Sequence, residues 1–156
     1  VAFLVLGRLL SRFGLKRVVV IGLVCWVVRY AAWSLGEPWA LVVAVIPLHG
    51  VCYAFVLAAG QVYVDRVAPP AARGSVQSLH LVLTSGVGQL VGALLAGAAC
   101  DVFTRTLPDG SIVTDFTRVY FWPTVAAAGA LLLMVTSFRE PTRLGAAPPQ
   151  ASHRPE

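Results

Sequence analysis

His49 stands in one of the most apolar stretches of the chain, with Tyr53 four residues on and Gln61 and Asp65 towards its end. An imidazole can donate, accept or carry a proton, and a phenol ring adds a stacking surface with a polar tip. In a helix, residues four and eleven apart fall on nearly one face, so His49, Tyr53 and Gly60 form a stripe. The stripe offers a titratable hydrogen-bonding group, a ring and a gap for close approach. That combination suits a small polar ligand with an aromatic part, and the reading as a cavity-lining face is preferred to one of helix packing alone. Arg29 is a second chemical candidate. It falls about eleven residues, or roughly 16 Å, into its apolar block, too deep to reach easily from the end where that block starts. Two roles stay open for it: reaching the opposite surface from the helix end, or facing the interior of a bundle.

Gln61 and Asp65 are spaced i, i+4 at the end of the same block, and Asp65 beside Arg66 reads as a gate or loop ion pair rather than a proton site. Further on, Gln77, His80, Thr84 and Gly88 share one side of a helix, and the first three could line an inner vestibule. Gly88, Gly92 and Gly97 mark close packing, the usual work of small residues between membrane helices. Pro123 either bends the last helix or occupies its first turn. Shared catalysis by His49 and Asp65 is excluded by distance: sixteen residues along one helix separate them by roughly 24 Å. Cys25, Cys52 and Cys100 show no metal-ligand spacing and no disulfide pattern, so neither a metal site nor a cofactor is expected.

The surrounding medium gives these residues their meaning. Hydrophobic residues make up 58% of the 156 and charged residues only 12%, against roughly 45–50% and about 25% in soluble domains. The apolar residues come in blocks of about 18–26, near the roughly 20 needed to cross a hydrocarbon core. Full spans are expected over about residues 18–35, 39–64, 76–100 and 119–138, with residues 1–10 as the end of a further helix. Residues 1–140 thus read as an all-α polytopic bundle in the lipid bilayer, and 141–156, rich in Pro and Ala, as a disordered tail. The start, Val1-Ala-Phe-Leu, lies inside an apolar segment and lacks the charged region of a signal peptide, so an upstream part is expected to be missing.

The net charge of +5 lies between the blocks, which argues for membrane topology and against a nucleic-acid partner. Arg8, Arg12, Lys16, Arg17, Arg66, Arg73, Arg139, Arg143 and Arg154 fall on one side and Arg105 and Arg118 on the other, with Arg29 inside a span. The positive-inside rule makes the first group cytoplasmic, including the C-terminus. The polar connection 101–118 is then extracytoplasmic. Its Leu107-Pro-Asp-Gly110 turn and Ser111–Thr114 stretch predict a small hairpin.

Gly7-Arg-Leu-Leu-Ser-Arg-Phe-Gly-Leu-Lys-Arg17 resembles the short cytoplasmic loop of the major facilitator superfamily. Taken together, several stretches resemble the nucleoside:proton symporter family of that superfamily: His49-Gly-Val-Cys-Tyr53, Gly60-Gln-Val-Tyr-Val-Asp65, Ala68-Pro, Arg73, Gln77, Gly86-Val-Gly88 and the Arg29-Tyr30 pair. The resemblance runs from Gly7 to about Glu140. It implies the C-terminal part of a twelve-helix fold, namely the end of helix 8 and helices 9–12, with the N-terminal half as its missing partner. It further implies a bacterial inner-membrane location and a nucleoside moved inward with a proton by alternating access. His49, Tyr53 and Phe55 would face the substrate, and Arg29, Gln61, Asp65, Gln77 and His80 would serve gates or helix interfaces. One departure stands out. Where the family commonly has Asp-Phe-Phe, this chain reads Ala54-Phe55-Val56. A carboxylate there could bind ribose hydroxyls or carry the proton, and alanine can do neither. Coupling then rests on the missing half, or substrate or mechanism has shifted. The alternatives are a related transporter of another small polar solute and a membrane sensor that keeps the fold without transport.

Overall fold

The computed structural model describes residues 2–139. The expected tail 141–156 lies outside them. Among the described residues four helical stretches are long and apolar enough to cross a membrane: Leu6–Leu35, Trp39–Val67, Pro70–Phe103 and Phe116–Ser137. We refer to them as spans one to four.

Span one belongs to α1 (Ala2–Leu35), which is broken at Gly14, where φ is 79° and ψ 166°. Only glycine adopts that backbone without strain. The stretch read as a loop between two helices is therefore helical on both sides of a single-residue break. Leu6 and Leu10 before the break share a core cluster with Leu15 and Val18 after it, and with Ala54, Phe55 and Ala59 of span two.

Span two is assembled from pieces. α2 (Trp39–Ala44) ends in a turn, and α3 (Leu48–Cys52) begins immediately after Pro47, which has no N–H and crowds the preceding turn. A π-helical segment, Tyr53–Ala58, leads into α4 (Ala59–Val67). Span three repeats the device. A 3₁₀ turn, Pro70–Ala72, and α5 (Arg73–Leu81) run into a π segment, Val82–Val87, and then α6 (Gly88–Phe103). Ala68 and Pro69 alone separate the end of α4 from this turn, so span three starts earlier than the expected residue 76.

The hairpin expected in the polar connection is present. β1 (Thr104–Thr106) pairs antiparallel with β2 (Ile112–Thr114), Thr104 opposite Thr114 and Thr106 opposite Ile112. Gly110, at φ 83°, closes the turn, and the Asp109 carboxylate accepts from Ser111 N at 3.0 Å and Ser111 Oγ at 2.7 Å. Those two bonds hold the Asp109 carboxyl below its ordinary pKa. α7 (Phe116–Ser137) begins at Asp115, whose side chain caps Arg118 N at 3.2 Å and pairs with Arg118 Nε at 3.2 Å. Pro123 lies inside α7, beyond its first turn.

Span four packs along span one. Ser34 Oγ donates to Thr117 O at 3.1 Å at one end of that contact, and Lys16 Nζ donates to Val135 O at 2.8 Å at the other. Gly22 makes the contact between spans one and two possible: a Cβ there would stand 2.8 Å from Phe55 Cβ and Val56 Cγ2. Span three is the outlier: nothing in its apolar window is buried, and Leu90, Leu94 and Leu95 are each more than 60% open. An apolar face of that size is at home only against lipid or more protein.

Candidate substrate-facing surface

Two clusters of chemically capable side chains lie along span two. The upper one is built on Arg29, which is 6% exposed and so faces the bundle interior instead of reaching for a surface. Helical spacing brings Trp26, Tyr30 and Trp33 around it, with the guanidinium carbon 5.6, 5.1 and 4.5 Å from the three ring centroids. Tyr120 of α7 closes the cage, stacked on Tyr30 at 6.3 Å and edge-on to Trp33 at 5.0 Å. Cation–π attraction of this kind is worth up to about 2 kcal/mol where the cation is desolvated. Across the interface Arg29 Nη1 meets His49 Nδ1. Arg29 Nε and Trp26 Nε1 are buried without a partner among the described residues.

His49 itself is exposed, and its ring centre lies 6.4 Å from that of Tyr53, which is 47% exposed. The two form an open polar and aromatic face in the middle of a membrane span. Phe55 is placed elsewhere: it is 7% exposed and belongs to the core against span one, away from that face. Ala54 is wholly buried in the same packing. A side chain at position 54 therefore points towards span one, with the open face on the other side.

The lower cluster lies between spans two and three. Tyr53, Leu57 and Gln61 on one side and His80, Thr84 and Ser85 on the other line a cavity of about 180 Å³. Both π segments contribute to its wall. A π turn carries an extra residue within its i→i+5 bond, so it rotates everything that follows. Gly60 faces span three at this cavity: a Cβ on it would stand 3.4 Å from His80 Cε1 and Nε2. His80 Nδ1 is buried without a partner among the described residues, and Thr84 Oγ1 donates to His80 O at 2.7 Å. At the end of span two Gln77 Nε2 donates to Asp65 Oδ1 at 3.1 Å. Asp65 is thus held by Gln77 across the proline turn, rather than by Arg66.

His49 and Tyr53 lie together, as their spacing predicts, whereas the cage around Arg29 is a finding of the structure. Trp26, Tyr30 and Trp33 at i−3, i+1 and i+4 from Arg29 were the available signal. Among the described residues no group of His, Cys, Asp and Glu is arranged to hold a metal ion.

The sequence pattern of the family described as "Nucleoside H+ symporter" matches residues 1–143. The chain is 31% identical over 115 residues to the nucleoside permease NupG of Escherichia coli, covering 71% of this chain and 26% of that protein. To the xanthosine permease of the same organism it is 32% identical over 133 residues, covering 83% and 30%. A crystal structure of the nucleoside transporter NupG (D323A mutant) superposes with a TM-score of 0.71 at 29% identity, over 85% of this chain and 33% of that one. The chain spans about a quarter to a third of the length of these relatives, and its helices form part of a major facilitator fold. Fold, sequence pattern and relatives agree that it belongs to the nucleoside H+ symporter family.

Proposed function

We propose that this chain is the C-terminal membrane portion of a nucleoside transporter of the bacterial inner membrane. On this reading a second, N-terminal half closes over its open face, and the substrate crosses by alternating access between the two. The observation that carries the reading is the His49–Tyr53 face: a hydrogen-bonding imidazole beside an exposed phenol ring, midway along a span. A nucleoside needs both, a surface for its base to stack on and polar groups for its edges and ribose. The relatives named as nucleoside and xanthosine permeases support the same substrate class. The basic residues at one end of the spans support a cytoplasmic C-terminus.

Transport would be coupled to protons. Ala54 offers no carboxylate, so the coupling acid would come from the other half. In proteoliposomes an inward proton gradient should drive accumulation of labelled uridine or adenosine by the intact protein. Accumulation of sugars or organic acids, with no nucleoside above control, would overturn the proposal.

A further inference from the structure

Arg29 is buried beside a histidine, and the chemistry of the two side chains fixes more than their proximity. A guanidinium has five N–H donors and no acceptor, and it stays protonated in proteins. Its contact with His49 Nδ1 therefore has one sense: Arg29 donates and Nδ1 accepts. A nitrogen that accepts carries no proton. The hydrogen bond made by one ring nitrogen sets the state of the other, so the single N–H of His49 is at Nε2. That atom lies across the ring from Arg29, on an exposed side chain, and has no partner among the described residues.

From this geometry we infer that Arg29 is a positioning residue that locks His49 as the Nε2–H tautomer, making it a hydrogen-bond donor that reads a carbonyl on the nucleobase. This deepens the transport reading and rests on it for the identity of the ligand. The cage holds the guanidinium in place: Trp26, Tyr30 and Trp33 surround it and Tyr120 braces two of those rings from span four. His49 is thereby held to one role, where a free imidazole would exchange donor for acceptor. Beside it Tyr53 supplies the stacking surface. An exocyclic oxygen on the base accepts from such a donor, whereas an exocyclic amine presents another donor. Uridine and cytidine share the ribose and the C2 carbonyl and differ on the C4–N3 edge, an oxygen and an N–H against an amine and a bare nitrogen, which makes them the probes for a donor that reads the C4 oxygen.

Two measurements test the inference. Nitrogen-15 NMR of the intact, histidine-labelled protein in bilayers, with His49 assigned by its loss in His49→Gln, should show Nδ1 as an unprotonated acceptor and Nε2 as N–H. In Arg29→Gln, whose amide can donate or accept, both tautomers should appear. A wild-type His49 carrying its proton on Nδ1, or on both nitrogens, overturns the lock. In competition for uptake, uridine should outcompete cytidine by roughly three- to tenfold, the worth of one hydrogen bond. His49→Phe, which keeps a ring and removes the donor, should erase that preference. Equal competition in the wild type, or a preference for cytidine, overturns the carbonyl reading. Failure of the inference alone leaves nucleoside uptake intact, whereas failure of the transport reading abolishes uptake of both nucleosides and leaves the tautomer to be decided by NMR.

Discussion

The two polar clusters along span two are opposites in construction. The upper one is over-determined: Arg29 is gripped by three rings from its own helix, braced by Tyr120 from span four and bonded to His49 on span two. The lower one is loose. His80, Gln61 and Thr84 border a cavity of about 180 Å³, and His80 Nδ1 has no partner there. Spans one, two and four share the tight region, whereas the lower cavity depends on span three, whose apolar surface is largely uncovered. The contrast teaches where the fixed and the adjustable parts of such a half-bundle lie. A rigid cage can define the orientation of one hydrogen-bonding group. A cavity whose second wall is the largely uncovered span three can change shape when that span moves, and π segments such as its two are frequent at functional sites.

Substitutions in the two regions should therefore differ in kind. Arg29→Ala should have the largest effect, lowering stability by about 3 kcal/mol through the lost cation–π contacts and the His49 bond. Thermal unfolding of the intact protein in detergent checks this, and a change near zero would mean that the cage holds nothing together. Gly22→Leu comes next. Its Cβ alone would overlap Phe55 and Val56, and such overpacking costs about 2 kcal/mol. Tyr53→Ala should leave stability nearly unchanged and weaken nucleoside affinity about tenfold, the loss of one stacked ring. Isothermal binding separates the two effects. Gln77→Ala, in the loose region, removes the bond to Asp65 and should cost only about 0.6 kcal/mol; a loss as large as that for Arg29 would abolish the contrast.

The smallest expected effect concerns pH, in the hairpin outside the membrane. The folded pKa of Asp109 is depressed by Ser111, so its contribution is complete above the ordinary value of 3.8 and fades as pH falls through the lower folded value. NMR shifts of Ser111 and Gly110 should be flat at neutral pH and move only in strongly acidic solution. Movement near pH 6 would point to another titrating group.

Much of the membrane architecture was legible in the residues, because long apolar blocks and basic loops follow from the bilayer itself. The hairpin was legible from Pro108, Asp109 and Gly110, residues whose backbone preferences act locally. The closeness of His49 and Tyr53 was legible from their spacing. The π segment at Tyr53–Ala58 was not, because it carries no distinctive sequence. Nor was the placement of Phe55 in the core. Pro47 could have announced the break before α3, and Gly22 the close approach of spans one and two. The pairing of Asp65 with Gln77 in place of Arg66 follows from tertiary placement around the proline turn, which spacing does not encode.

The central claim, that the His49–Tyr53 face serves nucleoside translocation, is most directly tested by counterflow. Proteoliposomes holding the intact protein and preloaded with unlabelled uridine should take up labelled uridine transiently above its equilibrium level, without any imposed gradient. Tyr53→Ala should raise the uridine concentration required by about tenfold. Binding of uridine with no counterflow would contradict the account and leave a sensor that keeps the fold without transport.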